Sequence, residues 1–330
     1  MIQEPKNRLP FRHRLSVAAM VACCAACSQG ANGGPAMASS ANSALLGGGG
    51  AASTAPAPTQ SVSVQKYTYK VGPYSLPAHT SAEAMVEAPG EISFALDNSI
   101  WLTGFTPSVE DGKGKALPTS LIHFAVVSNG SETNPLCDSK QTSKPFAATT
   151  SAVRDIKFPA GMGYPIIAGD PLSARVVLQN PTNEDYQNVY FSFTLTGESM
   201  DEAGNKVDVD PMLLDVDPCD HKPLTVEPNS FVEKKRSFSV PENGSITQAY
   251  GLLQNYGVAV ELNANERSFW RGVPTINEEY QIVDLPPYDD PKGVEVKTGE
   301  TLTIEVQYDN PSNVWHNGAT GAAMVYMARE

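Results

Sequence analysis

Apolar and polar residues alternate with a period of two along most of the chain. Val189, Phe191, Phe193 and Leu195 are separated by Tyr190, Ser192 and Thr194; Leu302, Ile304, Val306 and Tyr308 by Thr303, Glu305 and Gln307; Val258, Val260 and Leu262 by Ala259 and Glu261. Successive side chains of a strand point to opposite faces, so each set lines one face of a sheet. Gly and Pro interrupt the runs at Val71-Gly72-Pro73, Asn180-Pro181, Val240-Pro241 and Asn310-Pro311. No long stretch keeps the helical period. The pattern predicts an all-β body of short antiparallel strands, as in sandwiches and jelly rolls.

The N-terminus has a different texture. Lys6, Arg8, Arg12 and Arg14 precede an apolar run from Leu15 to Ala26, and Cys27 follows. This order reads as an export signal covering residues 1–27, to be set aside from the fold. Small residues before Cys27 resemble a bacterial lipobox, in which that cysteine is acylated and becomes the mature terminus; Cys23 is the rival position. Ser28 after the cysteine points to the outer membrane. Read as an ordinary secretory signal, the same cysteines would be only small apolar residues. Residues 28–65 hold no charge and are dominated by Ala, Gly, Ser, Pro and Thr, a composition that buries too little apolar surface to offset its ordering entropy. They predict a flexible tether spanning roughly 30–35 Å.

Composition limits the partners. The chain of 330 residues has a net charge of −13, although its first 27 residues are basic. A body that acidic disfavours nucleic acid as a partner. No stretch after residue 27 reaches the roughly 20 apolar residues of a membrane span. The membrane is therefore expected as a partner only through the lipid anchor.

Three of the five cysteines fall in the signal, leaving Cys137 and Cys219. In an oxidising compartment the simplest reading is a disulfide between them; a thiolate metal site would have only His221 nearby. Asp208, Asp210, Asp215, Asp217 and Asp220 could supply oxygen ligands to Ca²⁺. Their spacing equally places Asp208 with Asp210, and Asp215 with Asp217, on the solvent face of short strands. No nucleophile elbow, phosphate loop or paired Cys-x-x-Cys occurs.

Several segments in order resemble the copper type II, ascorbate-dependent monooxygenases. They are Leu121–Val127 with Asn134–Cys137, Phe158–Tyr164 leading to Val176–Asn180, Gly251–Gly257, and Val306–Asn310 with His316–Met324. The resemblance implies two tandem antiparallel jelly-roll β-sandwiches packed side by side, as also in peptide N-glycosidase F, here residues 66–185 and 186–330. It implies two copper sites with imidazole and thioether ligands. Only His123 and Met324 match ligand positions; Ile122, Gln179, Leu252 and Gln254 occupy the others. The resemblance thus implies a fold kept and a metal lost, with no cofactor. Independently, His123 in an apolar strand reads as a hydrogen-bonded core histidine, Met324 as a core filler of the last strand, His316 as structural or solvated, and His79 as uninformative.

Three functions follow as expectations. The first is a non-catalytic envelope lipoprotein, a binding or assembly module with a protein partner. The second is a divergent copper-dependent monooxygenase whose ligands lie elsewhere. The third is a carbohydrate-binding or carbohydrate-cleaving protein using Trp101, Trp270, Trp315 and paired acids such as Asp289-Asp290.

Overall fold

A computed structural model describes residues 62–81, 90–137, 143–153, 155–204, 206–217 and 223–330. All belong to one compact unit, Thr59–Glu330. The signal segment with Cys23 and Cys27, the tether up to residue 61, and Cys219 lie outside the described residues.

Twenty-one strands follow one another in the described residues. The first nine are β1 (Val64–Leu76), β2 (Gly90–Phe94), β3 (Ile100–Glu110), β4 (Ile122–Asn129), β5 (Lys144–Thr149), β6 (Ile156–Lys157), β7 (Met162–Ile166), β8 (Leu172–Leu178) and β9 (Tyr186–Ser199). A helical turn at Met200–Ala203 separates these from β10 (Val207–Asp215), β11 (Leu224–Val226), β12 (Ser230–Ser239), β13 (Gly244–Leu252), β14 (Gly257–Ala264) and β15 (Arg267–Gly272). The chain closes with β16 (Thr275–Ile276), β17 (Ile282–Asp284), β18 (Tyr288–Val296), β19 (Thr301–Asn310), β20 (His316–Ala319) and β21 (Ala322–Arg329).

The pairing order shows two jelly rolls. In the first, β1-β9-β3-β7 faces β2-β8-β4-β5; in the second, β10-β21-β13-β18 faces β12-β19-β14-β15. Setting aside the minor strands, each roll pairs its first, eighth, third and sixth strands in one sheet and its second, seventh, fourth and fifth in the other. The chain is all-β, with two antiparallel sandwiches in tandem. Parallel pairing of Val207 with Met162 and Asp208 with Gly163 joins β7 to β10, so one sheet runs through both rolls.

Two expected boundaries shift. Strand β9 hydrogen-bonds between β1 and β3, and its Val189, Phe191, Phe193 and Leu195 fill the first core. The first roll therefore ends at Ser199, not at residue 185. At the other end, Val64 and Gln65, assigned to the tether, already pair in β1 with Glu198 and Gly197.

A short motif marks the repeat. Asn180-Pro181-Thr182-Asn183 and Asn310-Pro311-Ser312-Asn313 follow the seventh strand of each roll. The Asn180 amide donates to the carbonyls of Leu76, Pro77 and Glu184, at 2.9, 2.9 and 2.7 Å. The Asn310 amide donates likewise to Val226, Glu227 and Val314, at 3.3, 3.0 and 2.8 Å. Each carbonyl oxygen in turn accepts from the hydroxyl two residues on, Thr182 or Ser312. One buried amide thus pins the loop after the seventh strand to the end of an early segment, satisfying backbone groups a sharp turn would orphan.

The two rolls share apolar surface as well. On β10, β13 and β21, Leu213, Leu252, Met324 and Tyr326 pack with the first roll, while Met212, Leu214, Val325 and Met327 fill the second. This sheet is buried on both faces, which is why β21 reads as a continuous run, Ala322-Ala-Met-Val-Tyr-Met-Ala328, rather than an alternation.

Candidate functional site

The sequence-selected ligand positions divide into two groups. Ile122, Leu252 and Met324 are fully buried in the apolar cluster where the rolls meet. There the Met324 thioether fills space among side chains. His123, Gln179 and Gln254 instead come together in one hydrogen-bonded latch. His123 lies at a register irregularity of β4, between Ile122 and Phe124 opposite Leu178 and Val177. Such a bulge leaves a backbone carbonyl outside the ladder, and the Gln254 amide donates to it at 2.6 Å.

The His123 ring makes a second crossing between the rolls, and the other bonds brace it from within each roll. The His123 ring contacts the Gly318 carbonyl through Nε2 at 2.8 Å and Gln179 Oε1 through Nδ1 at 3.3 Å. Gln179 also donates to the Ser120 carbonyl. Gln254 Oε1 accepts from the Thr320 amide at 2.9 Å, and its own backbone N–H donates to the Tyr308 hydroxyl at 3.1 Å. Burial pushes the His123 pKa down, against the opposing pull of its bonds to Gly318 and Gln179. A neutral ring carries one N–H, so only one of these two oxygens accepts from it, and the Gly318 carbonyl is the nearer. Among the described residues no group of three or more His, Cys, Asp and Glu could hold a metal ion.

The acidic segment departs from its expected exposure. Asp210 is 1% and Asp215 8% exposed, whereas Val207, expected to point inward, is 44% exposed. Asp210 pairs with Lys144 of the first roll, itself buried, and with Arg329 Nη2 at 3.1 Å. Lys144 also meets Glu132 at 3.0 Å, and Arg329 meets Asp208 at 2.9 Å and Glu242. The Tyr164 hydroxyl donates to Glu132, and burial raises its pKa. Lys144 and Arg329 so placed pair with Asp208 and Asp210, two of the five acids that could have served Ca²⁺. This ionic cluster joins the rolls by charge, as the latch does by amides; Lys144, Glu132 and Arg329 carried no motif, being up to 119 positions from Asp210.

The remaining candidates are scattered. Cys137 is disulfide-bonded, and its expected partner at 219 is outside the described residues. Trp101 is half-buried in β3, and Trp270 sits in the core of the second roll. Trp315 is 57% exposed in the loop before β20. Asp289 and Asp290 lie on β18, where Asp289 accepts from Gln248 and Asp290 from the Lys292 amide. The three tryptophans and this acid pair form no common site. His316 packs against Tyr256, ring centroids 5.0 Å apart, and Tyr256 stacks on Tyr280 at 5.6 Å. Burial, with His123 adding a smaller repulsion, lowers the His316 pKa to about 4.

No family model and no curated protein matches this chain. Among solved structures it is similar to the major capsid protein P2 of bacteriophage PM2, with 11% identity over 79% of this chain and 97% of that one, TM-score 0.33. It is also similar to the STIV MCP, with 11% identity over 80% and 96% of the two chains, TM-score 0.31. A protein described with the triple jelly-roll fold of an archaeal virus shows 14% identity over 80% of this chain and 60% of its own, TM-score 0.20.

Proposed function

We propose that the chain is a non-catalytic double jelly-roll module, anchored in the bacterial outer membrane by acylated Cys27 and working as a binding or assembly subunit with a protein partner in the envelope. The observation that carries the non-catalytic reading is the latch. His123 and Gln254, at positions where the copper family it resembles would hold metal, bond from one roll to the other, and Gln179 braces His123 from within the first. Ile122, Leu252 and Met324 complete an apolar seam. A seam with a shared sheet, a shared core and paired charges suits a rigid building block better than a reaction cleft between two moving halves. The fold is kept in this reading and the metal chemistry is gone.

Mass spectrometry and cross-linking of the native envelope fraction test the proposal. The mature terminus should be a lipidated Cys27, non-reducing peptides should show Cys137 joined to Cys219, and the chain should cross-link into a species larger than itself. An unmodified terminus elsewhere would overturn the anchor, and a solely monomeric chain would overturn the assembly role.

A further inference from the structure

Where loops of both rolls meet, two contiguous clefts of about 400 and 280 Å³ share Gln179, Pro181 and Asn255. Each approaches or falls within the roughly 300–1,000 Å³ typical of small-molecule sites. Among the described residues neither lining contains a carboxylate, lysine or arginine, although the chain carries 36 acidic and 23 basic residues. An ionic ligand would find no counter-charge there. A lipid would meet too many amides and hydroxyls.

Several of those polar groups have no partner among the described residues. The Asn255, Asn317, Thr119 and Ser151 side chains line the clefts and make no hydrogen bond among the described residues. His316 lines the same surface, and its Nε2 is buried with no hydrogen-bond partner.

Trp315 stands on the lip, 57% exposed. Its loop is held on one side by Asn310 and Ser312, both donating to the Val314 carbonyl at 2.8 and 3.2 Å, and on the other by the His316–Tyr256–Tyr280 stack. The indole face is therefore presented on a fixed support. A pyranose ring offers one flat face of C–H bonds and a rim of uncharged hydroxyls, each both donor and acceptor. An exposed indole beside unpartnered amides and hydroxyls is complementary to both features.

We propose that this cleft binds a neutral oligosaccharide, with Trp315 stacking on a sugar ring and Asn255 and Asn317 bonding its hydroxyls. Among the described residues no carboxylate pair lines it, so the proposal is of binding without cleavage. The inference is independent of anchoring and assembly.

The test titrates the folded full chain with maltohexaose, cellohexaose, laminarihexaose, mannohexaose and chitohexaose, with oligogalacturonate as the acidic control. Tryptophan emission and calorimetry are the readouts. At least one neutral oligosaccharide should bind with a micromolar-to-millimolar dissociation constant and shift the emission, and raising the salt concentration should leave the affinity unchanged. Trp315→Ala, at an exposed position, should fold normally, abolish the emission change and weaken binding about tenfold or more; Asn255→Ala should weaken it several-fold. Three results would overturn the proposal: no neutral member binding at about 10 mM, equal affinity for the acidic control, or undiminished binding by Trp315→Ala. A protein partner found to bury Trp315 while every sugar fails would assign the surface to that partner instead.

Discussion

Replacing Gln254 with alanine removes the amide at the middle of the latch. The side chain is 3% exposed, donates to the His123 carbonyl at 2.6 Å and accepts from the Thr320 N–H at 2.9 Å. Both backbone groups lose their partner, and the His123 carbonyl has no ladder position to return to because of the β4 irregularity. A buried unsatisfied group costs about 1–3 kcal/mol, so Gln254→Ala should destabilise the protein by about 2–5 kcal/mol. Gln254→Leu separates the causes, since it refills the volume yet leaves both groups orphaned. It should cost nearly as much. Urea unfolding read by tryptophan fluorescence and by circular dichroism measures both variants. With a slope of about 3 kcal/mol/M or more for a body this size, the midpoint should fall by roughly 1 M. A loss under about 0.5 kcal/mol in both variants would refute the reasoning, because two orphaned buried groups cannot cost so little.

The other expectations concern the seam and the repeat. Asn180→Ala and Asn310→Ala each remove three amide–carbonyl bonds of matching geometry and should each cost about 2–4 kcal/mol in urea unfolding. Lys144→Met leaves buried Asp210 with only Arg329 and should cost about 3–5 kcal/mol; the double variant with Asp210→Leu should recover much of this, measured by the same unfolding curves. His316 holds a folded-state pKa near 4 against an ordinary 6.5, so below 6.5 the unfolded chain binds the proton first. Stability should fall as pH drops from about 6.5 towards 4, and His316→Gln should flatten that slope in unfolding midpoints taken across the window.

Much of the architecture is legible in sequence because a sheet with one wet face writes a two-residue period. Strand β19 is an example, with Leu302, Ile304, Val306 and Tyr308 all buried. The boundary between rolls was not legible, since β9 alternates equally well whether it closes the first roll or opens the second. Its partners, β1 and β3, lie about a hundred residues earlier. The acids of β10 looked solvent-facing for a related reason: period two assigns one face to water, but this sheet has no wet face, and the answering cations are remote in sequence. The latch was half visible. His123, Gln179 and Gln254 could be picked out as positions, but their bonds to each other and to Gly318 and Thr320 depend on how the rolls dock. The Asn-Pro-Thr/Ser-Asn repeat was present in the sequence as two turn signals; its shared hydrogen-bond pattern is a property of the folded loops.

Metal analysis of the purified full chain most directly tests whether these residues are structural. The protein would be incubated with excess copper under reducing and then oxidising conditions, desalted and assayed for bound metal. With His123 buried against Gly318 and Gln179 and Met324 buried in the apolar seam, copper should stay below about 0.1 per chain, because a site short of ligands holds metal weakly. Retention of about one copper per chain, lost on His123→Ala or Met324→Leu, would contradict the account.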